Sequence, residues 1–234
     1  MPYWNQEQMQ QLLNEHNEQQ LFEIALSLAK QLGMDFLGFT IRRHVATQSP
    51  QYILLNNFPS EWNTRYQQGD YIKIDPIATH CQQSLAAILW DENAFAEVPE
   101  YWEEAQSFGL RFGWSLAIHD ARGNQSMLSV LRANGPVTTA EFFDKACHTL
   151  WLCNLIHTLI VERIHPPKRL TYELSAREIE VLKWSAEGKT AADIACILAL
   201  SESTVNFHIR SVMAKMNTNN KTSAVVRAAM NGLL

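Results

Sequence analysis

No stretch of this chain is long and apolar enough to span a membrane. The longest apolar run, LWLCNLIHTLI at 150 to 160, falls short of the roughly 18 residues a transmembrane helix needs and carries His157. The first twenty residues hold Asn, Gln and Glu around scattered leucines, so no signal peptide is expected, and a soluble, cytoplasmic protein is. The four cysteines (Cys81, Cys147, Cys153, Cys196) form no CxxC pair and have no histidine at zinc spacing, which argues for reduced thiols and against a disulfide framework or a metal site. HExxH and GxSxG are missing, and the eight histidines are scattered, so no hydrolase signature is present and no cofactor is implied. His80 and Cys81 are adjacent but lack a partner at catalytic spacing, and they read as packing residues. Internal repeats are absent, and composition is biased only in the Gln/Asn-rich first helix.

The chain does have enough apolar material for a sizeable core: 47% of its 234 residues are hydrophobic, and the length suits one or two domains. The net charge of −5 argues against a general polyanion binder, but it is unevenly spread. Residues 170 to 234 hold seven basic and six acidic side chains, net +1, which leaves −6 for residues 1 to 169. The C-terminal quarter is therefore the better candidate for contact with phosphate.

Apolar residues at three- and four-residue spacing predict one helix over 5 to 32, stopped by Gly33. The segments 36 to 43, 52 to 57, 112 to 120 and 125 to 133 are β-like, the last two joined by a turn at Arg122, Gly123 and Asn124. Helical segments fall near 60 to 69, 76 to 84 and 99 to 108, and a long one spans about 138 to 163. This order predicts an α+β domain over 1 to 164, an α-β-α sandwich with one antiparallel sheet between helical layers, able to hold a ligand between sheet and helices. HPPKRLTYE (165 to 173), with paired prolines and no periodicity, reads as a linker to an all-α domain over 174 to 234.

In that second domain Ser175 and Glu178 form a capping-box pattern, as do Thr190 and Asp193 more weakly, and Gly188 closes the first of four short helices. The second helix covers about 191 to 198, and Ser201 caps a third running to about Met216. Val205, Ile209, Val212 and Met216 give that third helix an apolar stripe. Its other face carries Ser203, Thr204, Asn206, Phe207 and Arg210, suited to base edges and phosphates in a major groove. This is a helix-turn-helix. The run LSAREIEVLKWSAEGKTAADIACILALSESTVNFHIRSVMAKMN resembles the DNA-binding domain of the LuxR family through Glu178, Leu182, Gly188, the GKT run and STVNFH. Lys189, Thr190 and Lys221 complete the DNA-binding set.

FPSEWNTRYQQGDYIKIDP, 58 to 76, places Trp62 and Tyr66 one helical turn apart and then delivers Asp75 between Ile74 and Pro76. Both aromatics join an apolar body to a polar handle, and an ionised aspartate near apolar walls needs an N–H partner. Two readings stay open on these residues alone: a turn or cap at Asp-Pro beside core aromatics, or a pocket that reads a small amide. With Trp90 and GLRFG, the order and spacing resemble the autoinducer-binding domain of LuxR-type quorum-sensing receptors over nearly the whole chain. NTRYQQGDYIKIDPI, WEEA, LRFGWS and SMLSVLR look closest to the orphan receptors of pseudomonads with broad acyl-chain tolerance.

The resemblance implies that Trp62 donates to the lactone carbonyl of an N-acyl-homoserine lactone and that Asp75 accepts from its amide N–H. Tyr66 and Trp90 wall the pocket, Ser129 and Ser115 reach the amide region, and Gly38, Tyr52, Ile77, Tyr101, Leu110 and Met127 border the acyl chain. Phe58 stands where many members of the family have tyrosine, and Phe58→Tyr is expected to tighten binding. The implied partners are the lactone, a second copy of the chain with a seam on the long helix, a pseudo-palindromic double-stranded DNA operator and RNA polymerase. A phosphorylation-driven regulator would need a receiver's βα alternation and acidic pair, which residues 1 to 160 do not provide. A ligand-independent regulator of the same family is left open.

Overall fold

A computed structural model of the protein describes residues 3 to 43, 51 to 166 and 172 to 234. The chain divides into two compact units, Met1–Pro167 and Lys168–Leu234. Of the linker expected at 165 to 173, residues 167 to 171 lie outside the described residues.

The first unit begins with two helices, α1 (Gln6–Asn14) and α2 (Glu18–Gln31), in place of the single helix expected over 5 to 32. The break has a local cause. The Glu15 carboxylate accepts from the backbone N–H groups of His16 and Asn17, both at 2.8 Å, and the Asn17 side chain caps α2 by accepting from the Gln20 N–H. These polar side chains satisfy backbone groups that a continuous helix would have used.

Five antiparallel strands follow in the order β2-β1-β5-β4-β3: β1 (Phe36–Arg43), β2 (Gln51–Asn56), β3 (Ile88–Leu89), β4 (Phe112–His119) and β5 (Gln125–Arg132). Sequence periodicity locates four of them; two residues of β3 are too few to show a period. Between strands lie α3 (Ser60–Gln68), α4 (Pro76–Gln83) and α5 (Pro99–Ser107). The long α6 (Thr139–Leu159) continues as a wider turn over Ile160–Ile164.

Strand alternation sorts the side chains into two layers. Leu37, Phe39, Ile41, Trp114, Leu116, Leu128 and Val130 pack with α1, α2 and α6 in one core. Met127, Leu131 and Ala117 belong to the opposite layer, with residues of α3, α4 and α5. The expected α-β-α sandwich is therefore present, with a separate apolar cluster on each face of the sheet. Buried polar bonds hold α6 in place: the Trp114 indole donates to Thr149 at 2.9 Å, and His157 Nδ1 lies 2.7 Å from Ser126 Oγ. The outer surface of α6 leaves Phe143 72%, Leu150 46% and Trp151 46% exposed.

The second unit is helical: α7 (Ala176–Ala186), α8 (Ala191–Leu198), α9 (Glu202–Lys215) and α10 (Lys221–Met230). Ser175, Thr190, Ser201 and Asn220 each cap the helix that follows. Of the expected apolar stripe, Val205 and Val212 of α9 and Met216 at its C-cap are buried, and Ile209 is half-buried against the same packing. Glu178, also buried, ties α7 to α9 by accepting from Ser211 Oγ at 2.6 Å and Lys215 Nζ at 2.8 Å while closing the capping box with Ser175.

Candidate functional site

The cluster between the sheet and α3, α4 and α5 is built around Trp62, which is 2% exposed. Its ring meets Tyr66, Tyr71, Tyr101 and Phe108 at centroid distances of 5.9, 6.0, 5.6 and 5.7 Å. Pro59 precedes α3 and Glu61 occupies its first turn, which starts the helix where Trp62 and Tyr66 share its inner face. Among the described residues the Trp62 indole N–H makes no hydrogen bond.

Asp75 takes the capping role of the first reading. It is the N-cap of α4: Oδ1 accepts from Ile77 N–H at 2.8 Å and Ala78 N–H at 3.3 Å, with Pro76 as the first helical residue. Its other oxygen accepts from the Tyr66 hydroxyl at 2.9 Å. Burial raises the Asp75 pKa above its ordinary value, against the opposing pull of hydrogen bonds from Tyr66, Ala78 and Ile77. Burial and the neighbouring Asp75 charge also raise Tyr66 and Tyr101, so both hydroxyls stay protonated as donors. A carboxylate oxygen accepts more than one bond, so Asp75 keeps capacity for a further N–H.

On the sheet side, the Trp90 indole donates to Ser115 Oγ at 2.8 Å, and Ser115 and Ser129, cross-strand partners in β4 and β5, lie 2.7 Å apart. Trp90 thus anchors the serine pair. Gly38 pairs with Ser129 in the adjacent strand, and a Cβ at Gly38 would sit 2.6 Å from Phe58 Cζ. The Phe58 ring tip therefore rests against β1 at the one place where the strand has no side chain.

Of the residues expected along an acyl chain, Ile77, Tyr101 and Leu110 are buried in this cluster and Met127 is half-buried against it. Tyr52 departs from the expectation. Its register opposite Arg42 puts it on the Gly38 face, but β2 is an edge strand and Tyr52 is 62% exposed, outside the enclosed cluster. Phe95 and Trp102 went unrecognised in the sequence; their rings stack at 4.3 Å and 5° and seal the cluster beside Trp90. WEEA carries Trp102, but Phe95 lies in an irregular segment without a period. Tyr71 and Arg65 both bond to Glu104, joining α3, the turn after it and α5 across the rim.

In the second unit, the left-handed Ala199 (φ 53°) forms the turn between α8 and α9. Ser203, Phe207 and Arg210 are exposed along α9, with Thr204 and Asn206 half-buried beside them. Other members of the expected set also have structural duties. Thr190 and Asp193 cap α8 reciprocally, Ser203 and Thr204 share hydrogen bonds with the Ser201 cap, and Lys221 Nζ donates to the Lys189 carbonyl at 3.2 Å.

Two family matches cover the chain: the autoinducer binding domain over residues 17–159, and the luxR family of bacterial regulatory proteins over 172–228. The transcriptional activator protein AnoR of Acinetobacter nosocomialis is 37% identical across the full length of both chains. The quorum-sensing regulator RhlR of Pseudomonas aeruginosa is 30% identical over 94% of this chain and 91% of its own. A crystal structure of Escherichia coli SdiA superposes with a TM-score of 0.71 at 29% identity, covering 96% of this chain and 95% of that one. A structure of SdiA in complex with octanoyl-rac-glycerol gives 0.69 at the same identity, over 96% and 93%. With the two family matches together spanning most of its length, the chain belongs to the LuxR family of autoinducer-binding transcriptional regulators.

Proposed function

We propose that the protein is a receptor for N-acyl-homoserine lactones that, as a cytoplasmic homodimer, reads a pseudo-palindromic DNA operator. The observation that carries the ligand reading is the placement of Asp75, a buried carboxylate with acceptor capacity to spare, in one aromatic cluster with Trp62, whose indole N–H makes no hydrogen bond among the described residues. A ligand with an amide N–H and a carbonyl on a compact head complements both groups, each neutral hydrogen bond contributing about 0.5 to 1.5 kcal/mol. Tyr66, Tyr101 and the Ser115–Ser129 pair supply further polar contacts, and Gly38, Phe58, Ile77, Leu110 and Met127 supply apolar ones. That SdiA takes an octanoyl glycerol supports an acylated ligand class. Ligand in the cluster stabilises the folded unit by mass action, and the exposed apolar surface of α6 forms the dimer seam. Ser203, Thr204, Asn206, Phe207 and Arg210 face the major groove, with Lys189, Thr190 and Lys221 near phosphates and half-sites about 34 Å apart.

Mass spectrometry of whatever co-purifies with protein expressed beside a panel of lactones tests this reading. An intact lactone bound one per chain is the expected result; a hydrolysed or absent ligand across the panel overturns it. One observation favours a second reading, a regulator that folds without ligand: Asp75 is already satisfied by the α4 cap and Tyr66. Soluble, operator-binding protein from cells without lactones would select that alternative.

A further inference from the structure

The outward stripe of α9 is Ser203, Phe207, Arg210 and Ala214, spaced at four, three and four residues and exposed at every position. Within this stripe Phe207 is anomalous. It is 64% exposed, it joins neither apolar cluster of its unit, and its ring contact among the described residues is with its own neighbour His208 at 5.7 Å. Nothing in the unit's packing requires a large apolar side chain there. The adjacent Arg210 makes no ion pair among the described residues, and only its Nε is engaged, by a 3.3 Å bond to the Asn206 carbonyl.

The apolar feature that a base pair presents in the major groove is the C5-methyl of thymine, and guanine O6 and N7 there accept a bidentate guanidinium. We infer that Phe207 is a direct-readout residue that packs against a thymine methyl in each half-site, beside a guanine read by Arg210. This rests on α9 being the helix that enters the groove. Three residues of helix rise about 4.5 Å, and bases stack about 3.4 Å apart along a strand, so the thymine and guanine belong one or two base pairs apart. An aromatic ring cannot satisfy a polar base edge, so the same contact disfavours cytosine and adenine at that position by leaving an exocyclic amine unpaired.

The test uses full-length protein with N-decanoyl-homoserine lactone as the probe ligand and duplexes selected from a random pool. Each thymine of the selected half-site is then replaced by deoxyuridine, which removes only the methyl group. One thymine, one or two base pairs from a guanine, is expected to be methyl-sensitive, its replacement weakening wild-type binding about fourfold per half-site, the worth of one buried methyl. Phe207→Ala, at an exposed position, leaves folding intact and is expected to abolish that sensitivity while retaining the guanine preference. Two results overturn the assignment while sparing the DNA reading: no methyl-sensitive thymine, or undiminished sensitivity in Phe207→Ala. A pool with no enriched sequence overturns sequence-specific DNA reading itself, and the Phe207 assignment with it.

Discussion

Asp75 carries two duties on its two oxygens, and variants can separate them. Asparagine is a good N-cap, so Asp75→Asn is expected to keep α4 and the fold. It removes the charge-assisted bond to a ligand N–H, worth about 1.5 to 3 kcal/mol, so lactone sensitivity should fall at least tenfold in a reporter assay. A wild-type response would remove the amide-reading role from Asp75. Phe58 shows the opposite relation between sequence and structure. Its para carbon is the atom nearest to where a Gly38 Cβ would lie, so a tyrosine hydroxyl at 58 would be driven into β1, whose backbone groups are already paired with β2 and β5. Phe58→Tyr is therefore expected to destabilise the first unit by about 1 to 3 kcal/mol, not to tighten binding as the resemblance suggested. Thermal melts of both proteins with one lactone decide it, and a tighter-binding tyrosine variant would show that the ring turns away from Gly38.

At the scale of elements, α7 and α9 are joined through one carboxylate. Burial pushes the Glu178 pKa up, but hydrogen bonds from Lys215, Ser211 and the Ser175 N–H more than offset this and leave it at about 2. A depressed folded-state value means that Glu178 contributes stability fully above its unfolded value near 4.5 and loses it as pH falls toward about 2. Its side chain is only 5% exposed, so the contribution is of the order of 2 to 3 kcal/mol. In chemical denaturation of the second unit, Glu178→Gln should lower stability by that order at pH 7 and flatten the decline below pH 4.5. An unchanged acid profile would mean that the Lys215 bond is not maintained in solution.

For the whole molecule, the surface of α6 carries the assembly prediction. Phe143, Leu150 and Trp151 are more exposed than side chains of their size need be, while Phe142, Leu152 and Leu159 of the same helix pack inward. Phe143→Glu gives up a tilted ring contact with Phe142 but removes no core side chain, so it should leave the fold intact while placing a charge in the proposed seam. Sedimentation should then show a dimer weakened at least tenfold, with operator affinity falling in step because both half-sites no longer engage together. A variant that remains as dimeric as the wild type would locate the seam elsewhere.

The sequence by itself determined the layer order, four of five strands, the four C-terminal helices and the caps of the first three, because those features are local: periodicity, capping pairs and turn residues act over a few positions. The two-residue β3 and the α1–α2 break escaped it, the first being too short to show a period and the second resting on side chains that compete for backbone groups. Spacing singled out Trp62, Tyr66 and Asp75, but left a cap beside core aromatics and a ligand pocket equally open, and only the resemblance pointed to the pocket. Only the tertiary structure decided what each atom bonds to. Asp75 is a cap as well as an acceptor, Trp90 anchors a serine pair, Phe58 rests on Gly38, and Tyr52 lies at an exposed sheet edge. These outcomes depend on which strands pair and which faces meet, contacts between residues far apart in the chain that no local pattern encodes.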